Sequence, residues 1–192
     1  MIKPHSILTA GHNLYRQETG WGTSVVFQRS YHDGYYASSA SASKLFILAG
    51  YSTAVKKGSA TTNNSFSLDT GGIVCFSRPM NGDHARWRQT KKLLNGSTYN
   101  MSLGYGGEVH NGLRLLRSAP TKGYYVVWKR YYRNATYGLE GGMSGGPVFA
   151  RSKGKWYVCA VNVSKPRGVL HSGAGVRLIG ADTSKLIKNN LR

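Results

Sequence analysis

Three residues of this chain have the types and settings to share one piece of chemistry: a serine among glycines, a histidine ending an apolar run, and an aspartate opening another. The serine is Ser144, in GLEGGMSGGPVF (residues 138–149). A hydroxyl that attacks a carbonyl needs close approach of the substrate and two backbone N–H donors aimed at the developing oxyanion. Glycines on both sides allow the unusual dihedrals this requires and put no Cβ in the way, and Gly142 and Ser144 are expected to supply the two donors. The histidine is His12, in SILTAGHNLY (residues 6–15), where an apolar strand runs into small residues that let the turn pack closely. Held there, an imidazole can accept the serine proton as general base.

The third partner must be a carboxylate that orients the imidazole and stabilises its charged form. The chain has four aspartates: Asp33, Asp69, Asp83 and Asp182. Asp33, in YHDGYY, carries the Asp-Gly signature of a hairpin turn. Asp83 lies among polar and basic neighbours and reads as a turn residue, and Asp182 reads as a helix cap. Asp69 opens DTGGIVCF, a small-residue step into an apolar strand, where a buried carboxylate can be anchored. The expected catalytic set is therefore His12, Asp69 and Ser144, in that order.

The elements that must position them are mainly strands. Short apolar runs bounded by Gly, Asn, Pro or Ser recur at residues 6–9, 23–28, 44–49, 72–76, 113–117, 124–128, 147–150, 155–163 and 175–178, a pattern of barrels or sandwiches. The Ser-rich stretch 38–43 and the polar stretch 56–65 read as surface loops. The tail ADTSKLIKNNLR predicts a short C-terminal helix capped by Asp182 or Thr183. A connector of mixed charge over residues 79–100 divides the chain into an N-terminal half, 1–95, carrying the His and Asp, and a C-terminal half, 96–192, carrying the Ser.

With 26 Lys and Arg against 7 Asp and Glu, the formal charge is +19, so the surface carries strong positive potential and an anionic polymer is a conceivable partner. The basic residues are dispersed, however, and a solvated basic face accounts for them. Cys75 and Cys159 each sit in an apolar run and read as buried free thiols. No apolar run reaches the roughly 20 residues of a membrane span, and the start, MIKPHSILTAGHN, lacks the pattern of a secretory leader. Cellular location is therefore not legible.

Taken together, these segments resemble the trypsin-like serine peptidases, and within them the V8-like glutamyl endopeptidases. ILTAGHNLYRQETGWGTSVVF resembles the first catalytic segment, LDTGGI the Asp segment, LGYGGEVHNGLRLLRS the start of the second barrel, and GGMSGGPVF the nucleophile motif. The resemblance implies an all-β fold of two antiparallel six-stranded β-barrels with the catalytic residues between them, hydrolysis of protein or peptide substrates through an acyl-enzyme, no cofactor or metal, a monomer, and export. Only eleven residues precede His12, fewer than in the family, so the expectation is a fragment, a mis-assigned start, or a first barrel trimmed at its N-terminus. Specificity departs as well. Where the glutamyl branch places a Thr or Ser and a His against the substrate's acidic side chain, this chain has Leu139 and Asn162, with Val163 and Ser164 following. A pocket so lined is uncharged, and Glu is not the expected residue before the cut.

Two rivals are weaker. A non-catalytic barrel scaffold that binds anionic polymers has no chemical reason to combine the three residue types. An α/β-type hydrolase needs a His after its Ser, for which only His171 is available, and a helix where this chain has Pro and a strand.

Overall fold

The computed structural model describes residues 1–55, 62–75, 84–89, 98–134, 139–164 and 173–191. In chain order its elements are β1 (Ser6–Thr9), β2 (Tyr15–Arg16), β3 (Gly20–Trp21), β4 (Val26–Arg29), β5 (Ser38–Ile47), α1 (Tyr51–Ala54), α2 (Asn63–Leu68) and β6 (Gly71–Cys75). There follow β7 (Asn100–Tyr105), β8 (Leu115–Arg117), β9 (Tyr125–Trp128), β10 (Tyr131–Asn134), β11 (Pro147–Ser152), β12 (Lys155–Ser164), β13 (Ala174–Leu178) and α3 (Ala181–Asn190).

The strands before the connector form an antiparallel sheet in the order β1-β6-β5-β4, beside the β2–β3 ribbon. The Ser-rich stretch is not a loop: it is the first half of β5, paired with β4. Its alternation is hidden in the sequence because the inward residues are only alanines, Ala40 and Ala42, which pack with Ile7, Leu14 and Ile73. Small side chains on a pleat still bury one face, so period-2 order survives without large apolar residues. The β4–β5 turn meets expectation, with Asp33 at φ 48° and Gly34 at φ 89°, both left-handed.

The polar stretch after α1 also contributes a helix start. Thr62 and Ser65 form a reciprocal capping box that starts α2, while residues 56–61 lie outside the described residues. The connector is described only at 84–89 and from 98 on. There Trp87 bridges Val158, so this segment lies along β12.

The later strands form an antiparallel sheet in the order β8-β7-β11-β12-β13-β10-β9. It curls on itself: Thr121 exchanges backbone hydrogen bonds with Asn100 of β7, while Asn134 at the end of β10 donates to the carbonyl of Lys122 at 2.7 Å. Its core is Val148, Ala150, Cys159, Ala160, Val176 and Leu178, with Leu139 and Met143. At one margin β9 exposes Tyr125, Val126 and Trp128. The expected C-terminal helix is present as α3, but Gly180 is its cap residue and Asp182 lies inside the first turn. Its Leu186 and Ile187, with Leu191 just past its end, close over Leu48 and Val74, tying this segment to the first sheet. Both cysteines are free and buried.

Gly71 shows how tight this packing is, since a Cβ there would stand 2.7 Å from the Phe46 carbonyl oxygen of the neighbouring strand. Backbone cannot give way as a side chain can, so Gly71→Ala is expected to destabilise the fold by about 1–3 kcal/mol. Urea denaturation of the two proteins measures this directly.

Candidate active site

Strand register brings the first two site residues together. Thr9 of β1 pairs with Gly71 of β6, so the chain leaving β1 and the chain entering β6 run side by side. His12 lies three residues beyond Thr9, in a short 3-10 turn over Gly11–Asn13, and Asp69 lies two residues before Gly71, at the end of α2. Gly11 is needed for the approach, because a Cβ there would press at 3.2 Å on both Asp69 Oδ1 and the Tyr51 ring.

Asp69 is completely buried and holds His12 twice. Its Oδ1 accepts the backbone N–H of His12 at 2.9 Å, and its Oδ2 lies 2.7 Å from the ring Nδ1. With Nδ1–H committed to the carboxylate, Nε2 is the ring nitrogen left to take up a proton. Burial disfavours the charged ring, but the Asp69 charge and hydrogen bond outweigh it even against the repulsion of Arg16, and the His12 pKa is raised. The other described aspartates are engaged elsewhere: Asp33 with Arg114, and Asp182 with Arg177 and Arg130. Asp83 lies outside the described residues.

Ser144 occupies the turn that leads into β11, and this turn abuts the His12 turn. Asn13, next to His12, donates through Nδ2 to the Ser144 carbonyl at 2.9 Å and to Thr9 Oγ1 at 3.1 Å. Gly145, at φ 87°, lies so close to Thr9 Oγ1 and Asn13 that no side chain fits. No described hydrogen bond joins the His12 ring to the Ser144 hydroxyl; the link between the two turns is Asn13. Bonds of that kind commonly tighten only when substrate binds. Gly142 is left-handed at φ 93°, and a Cβ there would stand 2.7 Å from the Tyr105 carbonyl. Around the turn, the N–H groups of Met143, Gly145 and Gly146 are spent on Glu140, Asn162 and Met143 carbonyls. Those of Gly142 and Ser144 take part in no described hydrogen bond.

The residues expected to line a specificity pocket are buried and mostly engaged with protein groups. Leu139 packs with Tyr124, Met143 and Val148, and Val163 with Ala10, Tyr51 and Tyr131. Ser164 Oγ lies 2.8 Å from the Tyr131 hydroxyl. Asn162, with no exposed surface, accepts from Ser102 Oγ at 2.7 Å and donates to the carbonyls of Leu103 at 3.1 Å and Met143 at 3.3 Å. The Met143 carbonyl belongs to the peptide whose N–H is that of Ser144, so the Asn162 amide helps fix that peptide plane. Asn13, Tyr51 and Ser102 went unnoticed in the sequence. Asn13 alone carries a signal there, its position directly after the histidine.

Among the described residues no group of three or more His, Cys, Asp or Glu could hold a metal ion, and no helix is long and apolar enough to cross a membrane.

Solved structures of the same shape place this geometry in context. A thermostable serine protease, AL20, from an extremophilic microorganism superposes with a TM-score of 0.72 at 17% identity, over 95% of this chain and 82% of that one. A Glu endopeptidase solved in complex with MPD gives 0.75 at 17% identity, over 100% and 83%. The protease Anisep from Arthrobacter nicotinovorans gives 0.70 at 20% identity, over 96% and 82%. No protein-family model matches the sequence, and no curated protein matches it. The chain has the fold of the chymotrypsin-like serine proteases, as the resemblance implied. At this level of identity the likeness is one of architecture.

The His12–Asp69 pair has a measurable signature. An NMR titration should give His12 a pKa above the ordinary value of about 6.5, and Asp69→Asn should bring it down. By linkage, the raised value means that the charged pair adds to folding stability below about pH 6.5, and that this contribution is lost as pH rises through the folded-state pKa.

Proposed function

We propose that this protein is a serine endopeptidase that cuts peptide bonds through an acyl-enzyme, with Ser144 as nucleophile, His12 as general base and Asp69 as the group that orients and charges the imidazole. The observation that carries the reading is the two-oxygen hold of buried Asp69 on His12, in a turn that Asn13 ties to Ser144. His12 Nε2 takes the Ser144 proton as Oγ attacks the scissile carbonyl, and the proton then passes to the leaving amine. The N–H groups of Gly142 and Ser144 stabilise the oxyanion of each tetrahedral intermediate. Water, deprotonated by the same imidazole, attacks the acyl ester and frees Ser144. The protein works as a monomer on protein or peptide substrates, residues 1–95 supplying His12 and Asp69 and residues 96–192 supplying Ser144 and the substrate pocket.

The pocket is uncharged at Leu139 and Asn162. One is packed in the core and the other has its amide fully committed, which supports a preference for residues other than Glu before the cut.

Labelling by a fluorophosphonate, lost in Ser144→Ala together with a fall in turnover on the order of 10⁶-fold, is the expected outcome. Unchanged hydrolysis by that variant rejects the assignment. Since the neutral imidazole is the base, kcat/KM should rise with pH through a His12 pKa above about 6.5. Cleavage profiling on a mixed peptide library should show little cutting after Glu, and strict cutting there defeats the specificity reading. Salt-sensitive binding to heparin with no labelling at all would instead favour a non-catalytic scaffold that holds anionic polymers.

A further inference from the structure

Arg177, the residue before the last of β13, has no exposed surface and reaches out of its own sheet. A buried guanidinium has five donors to satisfy. Here Nη2 donates to Asp182 Oδ2 at 2.6 Å, Nη1 to the Leu178 carbonyl at 2.8 Å and to Thr183 Oγ1, and Nε to the carbonyl of Ser67 at 3.1 Å. The first three stay within β13 and α3. The last crosses to the C-terminal turn of α2, 110 residues away in the chain and two residues before Asp69. Terminal helix carbonyls have no partner inside the helix, and a cation there is favourable. A second contact works in the same direction, since Phe66 of α2 stacks on Tyr131, the β10 residue paired with Arg177, with ring centroids 5.0 Å apart.

We infer that Arg177 is a positioning residue, which clamps the Ser67 carbonyl so that the end of α2 presents Asp69 to His12. The inference rests on the reading of His12, Asp69 and Ser144 as one catalytic unit. Asp69 is otherwise fixed on the β6 side by the Thr9–Gly71 register, so Arg177 supplies its hold from the α2 side. The charged groups around it are Asp182, shared with Arg130, and Asp69 itself, whose charge reaches Arg177. Lys cannot replace it: an ammonium lacks the planar fork needed to serve Asp182 and Ser67 at once.

The test uses the full chain. Arg177→Lys should lower kcat by about 10- to 100-fold with KM little changed, and should shift the His12 titration by NMR towards its value in Asp69→Asn. Thr183→Val, which removes a different partner of Arg177, should lower thermal stability but leave kcat and the His12 titration as in the wild type. A folded Arg177→Lys protein with wild-type kcat and His12 titration overturns the inference. In the wild-type chain the Arg177 Nε–H should show a through-hydrogen-bond coupling to the Ser67 carbonyl carbon; its absence overturns the inference without any variant. Should the wild type neither hydrolyse peptides nor label at Ser144, the peptidase reading fails, and the His12 titration still decides the role of Arg177.

Discussion

The grip of one buried carboxylate on one imidazole is the interaction around which this molecule is arranged. Asp69 has no solvent to satisfy it, and an ionised carboxylate so placed persists only if its oxygens find donors. Both donors come from His12, one from the backbone and one from the ring. That double contact fixes position and tautomer together. It also requires two chain segments to meet within hydrogen-bonding distance, and the pairing of β1 with β6 makes them do so.

Close approach accounts for much of the rest. Gly11, Gly71, Gly142 and Gly145 each stand where a methyl group would strike backbone, a ring or a site residue. They are distributed over the His turn, the strand after Asp69 and the serine turn, so the demand for space is concentrated where the three segments converge. The second sheet then works as a platform: Asn162 on β12 secures the serine turn from below, and Ser102 on β7 secures Asn162 in turn. Such a chain of satisfied buried polar groups is rigid because breaking any member leaves its neighbours without partners.

The sequence made the candidate site more legible than its scaffold. His12, Asp69 and Ser144 stand out because each combines a reactive side chain with small neighbours and an adjoining apolar run. Strands were readable where apolar residues dominate, as in β6 and β12. They were missed where the pattern is inverted. In β7 the buried positions are Asn100, Ser102 and Gly104, while the larger Met101, Leu103 and Tyr105 are only partly covered, so hydropathy gives no cue. In β10 the buried residues include Arg133 and Asn134, and β13, readable from its apolar residues, also buries Arg177 completely, which hydropathy does not suggest. Polar burial of this sort depends on partners far along the chain, which no local window contains. The Ser-rich half of β5 was lost for the opposite reason, since alanine and serine alternate too faintly to register.

The margin of the second sheet at β9 bears on how the protein behaves in concentrated solution. Tyr125, Val126 and Trp128 lie open along a terminal strand, the kind of surface on which unrelated copies stack into aggregates. Lys129 and Arg130 follow immediately, and every copy carries the same large positive charge, so mutual repulsion opposes such stacking. That protection is ionic and shrinks with the screening length, which falls to about 3 Å at 1 M salt. Colloidal stability in this molecule is therefore a property of dilute electrolyte, and salting would be the route by which it is lost.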